Sequence, residues 1–264
     1  NMIENFVLFI AVGVAVHFFG AENEQTRLGA AIRHASAQLA DEGAQLVLAG
    51  RDMADLEAQA TDLALRGAAS AEAARFDARD AQTFAPIIAR AEALAGDGAI
   101  NCAVFVGSMP PQSAIDADPA LIDGTVTDSF TGPARFLQML APKLEAKGKG
   151  LVIGVGSVAG DRGRIGNYVY GAAKSGFATY LSGLRNRLGR SGVHVMTVKP
   201  GFVDTAMTWD VEGMFLVASP AETAAHMLKK ARKGRNVLYT PFFWRYIMAI
   251  IRSVPEPIFK KLSV

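Results

Sequence analysis

The chain has little that would suit a disulfide-stabilised fold or a nucleic-acid partner. It has one cysteine in 264 residues, Cys102, so no disulfide can form within the chain and a reducing compartment is favoured. Cys102 lies in an apolar strand pattern, which predicts a core residue. Lysine and arginine exceed aspartate and glutamate by only 2, and the one concentrated basic group, at 229–235, is typical of the solvated end of a helix. We therefore expect no nucleic-acid partner.

Long apolar runs are also scarce. The run FVLFIAVGVAVHFF at residues 6–19 is too short for a membrane span, which needs about 20 residues. No lysine or arginine precedes it and no small-residue cleavage site is obvious after it, which argues against a secretory signal. We expect its second half to form the first strand of a sheet, with His17 as a core or strand-end residue, in a cytoplasmic protein without a metal site.

What the chain does have is apolar content and a regular alternation of elements. Its residues are 50% hydrophobic, and no repeat or linker divides residues 1–264, which favours one domain. Strands are predicted at 45–49, 74–76, 100–106, 151–155, 193–200 and 237–239, and helices at 28–42, 53–66, 83–94, 120–147, 167–188 and 220–233. This alternation predicts an α/β fold of the Rossmann type: a doubly wound parallel sheet of about seven strands with helices on both faces.

Tyr170 and Lys174 form the pair that suggests chemistry. Four residues apart, they project from one face of a helix, so the ammonium can favour ionisation of the phenol. Lowering a phenol pKa from about 10 to about 7 needs roughly 4 kcal/mol, more than one solvated lysine supplies. A second positive charge is implied, and an oxidised nicotinamide would provide it. Upstream, Ser157 opens a Gly-rich turn after a buried strand, where open α/β sheets bind ligands.

Taken in order, Ser157, Tyr-x-x-x-Lys and a strand ending at Pro200 and Gly201 resemble the short-chain dehydrogenase/reductase family. The resemblance implies a nicotinamide-dependent oxidoreductase that interconverts a ketone and a secondary alcohol. It also implies the roles: Ser157 holds the carbonyl, Tyr170 is the general acid or base, and Lys174 tunes Tyr170 and binds the ribose. Thr205, just beyond Gly201, is expected to contact the nicotinamide end.

The phosphate loop departs from the family pattern. Between the first strand and its helix stand Gly20, then AENEQTRL, then Gly29, without the family's middle glycine. Glu22 and Glu24 place negative charge where a phosphate is expected. Gly20 and Gly29 are candidate cofactor residues, and the alternative is a plain strand-end turn and helix start.

Three further positions match cofactor contacts of the family. Arg51 follows the second strand, which has no acidic residue at its end, so NADP(H) is favoured over NAD(H); a surface arginine is the alternative. Asp77, past the third strand, matches the adenine-contacting aspartate, or else caps a turn. Gly107 is the residue retained from the family's motif after the fourth strand and is expected to contact the adenosine half through its backbone.

Ser129 replaces the family's catalytic asparagine. Its hydroxyl is expected to be too short to copy the amide's contacts with backbone and ordered water, so the proton relay behind Lys174 is expected to differ. The rival class is therefore a non-catalytic short-chain-type scaffold or binding protein with a degenerate cofactor loop. The family also implies a homodimer or homotetramer.

Residues 242–264 form an aromatic, basic and apolar tail, and residues 205–219 are expected to form a substrate lid. With SVAGDRGRIGNYVYGAAKSG around the catalytic residues, the tail resembles a narrower group, the reductases of the decaprenylphosphoryl-ribose 2'-epimerase type. That implies a 2-keto pentofuranose on a lipid-linked substrate. The tail either packs over the substrate pocket or a sister subunit, or makes a peripheral contact with the inner membrane surface. Pro255 and Pro257 are expected to end its helix by about Ser253.

Overall fold

The computed structural model describes residues 8–13, 28–201 and 218–262, of which 8–13 and 28–30 are described by their backbone alone. Seven parallel strands form one sheet in the order β3-β2-β1-β4-β5-β6-β7. This confirms the predicted doubly wound sheet. The strands are β1 (Leu8–Gly13), β2 (Gln45–Gly50), β3 (Ser70–Arg75), β4 (Ile100–Phe105), β5 (Gly150–Val155), β6 (Val193–Pro200) and β7 (Val237–Thr240).

Helices alternate with these strands and cover both faces of the sheet, because parallel neighbours need crossover connections. They are α1 (Leu28–Asp41), α2 (Met53–Arg66), α3 (Phe84–Ala95), α4 (Gln112–Ala117), α5 (Leu121–Val126), α6 (Gly132–Lys147), α7 (Tyr168–Gly189), α8 (Pro220–Arg232), α9 (Trp244–Ser253) and α10 (Glu256–Phe259). One apolar core lies between the sheet and α3, α6 and α7, and the other between the sheet and α1, α2 and α8. Cys102 is fully buried in the first, as predicted.

Two strand predictions were wrong. The first strand occupies Leu8–Gly13, in the first half of the apolar run and not the second. A run without alternation has no pattern to fix where a strand begins. The third strand is Ser70–Arg75 and lies earlier than the predicted 74–76. Its sequence SAEAAR is rich in alanine and has no β-branched residue, so its strand character comes from pairing with β2 and not from propensity.

The long helix predicted at 120–147 is interrupted. Between α5 and α6 the backbone makes a π-helical turn at Thr127–Thr131. Arg79 holds this turn, because its guanidinium donates two hydrogen bonds of 2.8 Å to the carboxylate of the buried Asp128. Such single π turns occur most often at functional positions, and Ser129 lies in this one.

The tail folds back onto the body of the protein. Trp244 and Met248 are buried against Val158, in the turn after β5. The helix α9 ends at Ser253, as the two prolines predict. One side of α9 therefore packs on the turn after β5. No helix in the described part of the chain is both long and apolar enough to cross a bilayer.

Candidate active site

The carboxyl ends of β4, β5 and β6 lie side by side and carry the candidate residues. Gly107 follows β4, Ser157 follows β5, and Pro200 ends β6. The turn after Ser157 packs directly on α7, which requires two glycines. A Cβ at Gly160 would lie 2.7 Å from the Ser175 nitrogen, and one at Gly171 would lie 2.8 Å from the Ala159 oxygen. This close approach brings the serine to the tyrosine.

Ser157 caps its turn and contacts Tyr170. Its Oγ accepts a hydrogen bond of 3.1 Å from the Ala159 backbone N–H, which is a turn cap, and it also hydrogen-bonds the Tyr170 hydroxyl. Tyr170 is 6% exposed, whereas the nearby Tyr168 is 47% exposed and donates its hydroxyl to Asp116. The structure therefore places Tyr170, and not Tyr168, beside the serine.

Lys174 is buried beneath the strand ends that carry the candidate residues. Its Nζ donates hydrogen bonds to the Val106 oxygen at 2.8 Å and the Val155 oxygen at 3.1 Å, and lies 5.8 Å from the centroid of the Tyr170 ring. Two of the three ammonium hydrogens are thus used by described residues. Burial lowers the pKa of Lys174 to about 7, because the charged form loses its hydration.

Burial also decides the state of Tyr170. It raises the pKa of the Tyr170 phenol to about 12, while the hydrogen bond from Ser157 and the charge of Arg164 act in the opposite direction. In the protein alone the phenol is therefore protonated at neutral pH, which is the form that gives a proton to a carbonyl. The lower Tyr170 pKa that the Tyr-x-x-x-Lys pattern predicts therefore needs further positive charge.

Gly107 makes room for the lysine. A Cβ at this position would lie 2.9 Å from the Lys174 Nζ, 3.1 Å from its Cε and 3.3 Å from the Ser129 Oγ. A side chain here would push the ammonium away from Val106. The residue that the sequence assigned to cofactor contact thus has a role in placing Lys174.

Ser129 holds the segment after β4. Its hydroxyl reaches the backbone of Ser108 twice, accepting from the Ser108 N–H at 3.2 Å and donating to the Ser108 oxygen at 3.1 Å. It is fully buried. The π turn presents residue 129 to this segment, so the short hydroxyl makes two backbone contacts of its own.

Comparison with known proteins gives the family. The short chain dehydrogenase family model matches residues 28–214. An uncharacterized oxidoreductase of Mycobacterium tuberculosis is 31% identical over 221 residues, which are 83% of this chain and 88% of the relative. This chain belongs to the short-chain dehydrogenase family. It is therefore an oxidoreductase of the NAD(P)-binding Rossmann type.

Solved structures show the same fold. A short-chain dehydrogenase from Sphingobium yanoikuyae, in complex with NADPH, has a TM-score of 0.73 at 21% identity and covers 94% of this chain and 96% of its own. A 3-oxoacyl-[acyl-carrier protein] reductase from Brucella melitensis, with bound NAD, has a TM-score of 0.71 at 18% identity and covers 90% of each chain. At these identities the likeness shows the fold alone.

The remaining cofactor candidates of this short-chain dehydrogenase lie along the same edge of the sheet or outside the described residues. Arg51 follows β2, and Asp77 follows β3 with its carboxylate accepting from the Arg79 backbone N–H at 2.9 Å, which is a turn cap. Gly29 lies in the first turn of α1. Gly20, Thr205 and most of the expected lid at 205–219 lie outside the described residues.

The end of β6 also supports the tail. A Cβ at Gly201 would lie 1.9 Å from the Trp244 Nε1, so the indole rests directly on the Pro-Gly segment. Trp244 is 1% exposed. The tail therefore packs against the edge of the sheet that carries the candidate residues, a contact that the family motif does not predict.

Sequence reasoning missed the charged residues between Ser157 and Tyr170. The carboxylate of the buried Asp161 accepts from the Tyr239 hydroxyl at 2.7 Å and pairs with Lys199. Arg162 donates at 2.6 Å to the Ile251 and Val254 oxygens at the end of α9. The signal was present as GDRGR, a dense charged cluster inside an otherwise apolar motif.

Proposed function

We propose that this enzyme is an NADP(H)-dependent carbonyl reductase that also oxidises the corresponding secondary alcohol. The observation that carries the proposal is the buried trio: Ser157 hydrogen-bonded to Tyr170, with Lys174 anchored beneath them on two strand-end carbonyls. A buried tyrosine and lysine are costly for a fold, and their joint presence at a ligand-binding edge favours catalysis over a scaffold role.

In this proposal each member of the trio has one task. Ser157 donates its hydroxyl hydrogen to the substrate carbonyl, and Tyr170 gives the developing alkoxide a proton. Lys174 has one ammonium hydrogen left after its two backbone contacts, which fits a ribose hydroxyl. Ser129 bonds the backbone of the segment after β4, and the absence of a side chain at Gly107 leaves room there for the Lys174 ammonium. When bound, the nicotinamide cofactor supplies the hydride in reduction and receives it in oxidation.

The test is a titration of the protein with NADPH and NADH, followed by the fluorescence of its two tryptophans, Trp209 and Trp244. Trp244 lies against Gly201, at the catalytic edge, so ligand binding there should change its emission. We expect NADPH to bind in the micromolar range and more tightly than NADH. If neither binds, the scaffold alternative replaces the enzyme.

Tyr170→Phe tests the chemistry separately from cofactor binding. The substitution removes the proton donor and keeps the ring, so turnover of any ketone substrate should be lost while NADPH affinity changes little. Tyr168→Phe is the matched control, since Tyr168 is an exposed phenol on the same helix turn. An active Tyr170→Phe variant would contradict the assignment.

We assign the preference for NADP(H) to Arg51. It follows β2, which ends at Gly50 without the acidic residue that would hold a ribose 2'-hydroxyl. Arg51→Ala should weaken NADPH binding more than NADH binding in the same titration. An unchanged ratio of the two affinities would remove Arg51 from the site.

The substrate class that the motif and tail resemblance favours is a 2-keto sugar on a lipid carrier, and the exposed side of α9 suits such a substrate. Phe242, Tyr246 and Ile250, four residues apart, are 69%, 64% and 68% exposed, beside Arg245 and Arg252. We propose a peripheral contact with anionic lipid through this side. Cosedimentation with phosphatidylglycerol vesicles should fall in the double variant Phe242→Ser/Ile250→Ser, and sedimentation equal to that of wild type would contradict the contact.

We also propose, from the family, that the protein is an oligomer. A measurement of its mass in solution tests this.

A further inference from the structure

Arg164 is a partly buried cation without a dedicated partner. It lies between Ser157 and Tyr170 in sequence, and its Nε is shielded from solvent with no acceptor in hydrogen-bond range. Among the described residues it makes no hydrogen bond or ion pair. Its electrostatic neighbours are Asp161 and Tyr170. Burial lowers the pKa of Arg164 from its ordinary value, which reflects a guanidinium that has lost hydration.

The nearby carboxylate does not neutralise it. Asp161 has a 2% exposed side chain whose two oxygens are taken by the Lys199 ammonium and the Tyr239 hydroxyl. Lys199 already balances this charge. The Arg164 guanidinium is therefore left with unused donors and no paired carboxylate close to the Tyr170 phenol, an arrangement that a bound anion would stabilise.

Asn167 presents a second unused polar group in the same segment. It is the N-cap residue of α7, where an asparagine side chain ordinarily accepts from the first turn, yet it makes no capping bond. Its Oδ1 is buried and has no donor. A side chain that forgoes its cap and buries its acceptor is suited to a hydroxyl or N–H of a ligand.

Both groups come just before Tyr170 in the chain, and the charge of Arg164 acts on the Tyr170 phenol. Lys174 is one helical turn beyond Tyr170 and contacts the strand-end carbonyls of Val106 and Val155. Arg164 and Asn167 come before Tyr170, and the adjoining Val169 N–H is held by the Gln112 side chain at 3.2 Å. In the proposed function Lys174 binds the ribose, which leaves the groups before Tyr170 for the substrate.

We propose that Arg164 and Asn167 form a substrate subsite beside Tyr170, in which Arg164 binds an acidic group of the ketone and Asn167 accepts from one of its hydroxyls. The enzyme thus acts on an anionic hydroxyketone, such as a phosphorylated sugar. This inference rests on the proposed carbonyl reductase function and names its substrate class.

The test compares two ketones that differ only in the acidic group, dihydroxyacetone phosphate and dihydroxyacetone, on wild type, Arg164→Met and Arg164→Lys. We expect Arg164→Met to lower kcat/KM for the phosphorylated ketone by on the order of 10- to 100-fold, the usual loss of a charged hydrogen bond, with Arg164→Lys in between. The neutral ketone should change by less than about threefold. Arg190→Met is the control, since Arg190 is exposed beyond the end of α7.

An equal loss for both ketones would overturn the subsite, because Arg164 would then act through Tyr170 and not through the substrate. Asn167→Ala should raise KM and leave kcat nearly unchanged, and a fall in kcat alone would remove Asn167 from the subsite.

A binding measurement covers the case in which neither ketone is turned over. Inorganic phosphate is titrated into the NADP⁺-saturated protein and the unfolding temperature is followed. Stabilisation that is present in wild type and Arg190→Met, and lost in Arg164→Met, supports the subsite. Stabilisation that is absent, or that survives in Arg164→Met, overturns it. Failure of the proposed function shows separately, as absent NADPH binding or as turnover by Tyr170→Phe.

Discussion

Lys174 should make the stability of this enzyme depend on pH in a way that a single substitution removes. Its ammonium is 3% exposed, and burial lowers the pKa of the group from 10.5 to about 7. The unfolded chain therefore keeps this proton up to about pH 10, whereas the folded chain loses it near neutral pH. Between these values the unfolded state binds more protons, so stability rises with pH.

The magnitude follows from the two pKa values. Linkage across the interval from about pH 7 to about pH 9 amounts to about 2 kcal/mol of added stability in wild type. Lys174→Met removes the titrating group and should lack this increment. The substitution also leaves the Val106 and Val155 carbonyls without donors, at a cost of about 1–3 kcal/mol each, so absolute stabilities are expected to fall at every pH.

The measurement is urea unfolding of wild type and Lys174→Met at both pH values, and the quantity of interest is the difference between the two pH responses. Subtracting the variant cancels the other titrating groups, which the two proteins share. Parallel pH responses would refute the reasoning, since they would mean that the folded ammonium is as well hydrated as a surface lysine. Saturating NADPH should reduce the wild-type response, because a ribose contact favours the charged form.

Two further predictions concern the supports of the site. Gly107→Ala places a methyl group 2.9 Å from the Lys174 Nζ and should lower kcat/KM roughly tenfold by displacing the ammonium, with little loss of stability, since the lysine end can move. Gly183→Ala is its control: nothing lies within 4 Å of that Cβ, so stability should rise by about 0.5–1 kcal/mol at unchanged activity. Arg162→Met removes the bonds to the Ile251 and Val254 oxygens and should cost about 2–3 kcal/mol in urea unfolding and speed tryptic cleavage of the tail. Tryptic cleavage at the wild-type rate would contradict this anchor.

The arrangement of the proposed catalytic trio could be predicted from sequence because its geometry is local. Tyr170 and Lys174 share a helix face by spacing alone, and Ser157 follows a strand whose apolar residues identify it. The helix at 53–66 was predicted to the residue for a similar reason. Asp52 caps its start, and Gly67, at a φ of 115°, ends it. The signals for both ends of this helix thus stand directly beside it in the sequence.

What could not be predicted depends on contacts between distant segments. Ser129 reaches the backbone of Ser108 because Arg79, far away in sequence, fixes the π turn through Asp128. Arg162 donates to the Ile251 and Val254 oxygens, which lie 89 and 92 positions further along the chain. A residue's partners across such separations depend on the packed fold, and the local pattern around an arginine is the same whether it anchors a helix or faces water.

The tail is anchored on the same turn that begins with Ser157. Ser157 begins this turn, Asp161 and Arg162 end it, and Arg162 lies with its guanidinium 3.6 Å from the Phe259 ring centroid while pairing with Glu256. Movement of α9 or α10 must therefore pull on the backbone that positions Ser157. The tail packs on Gly201 on one side of the candidate site and on this turn on the other. It therefore contacts two sides of the site. Because Arg164 follows Arg162 by two residues, the tail also holds in place the segment to which we assign recognition of an acidic substrate.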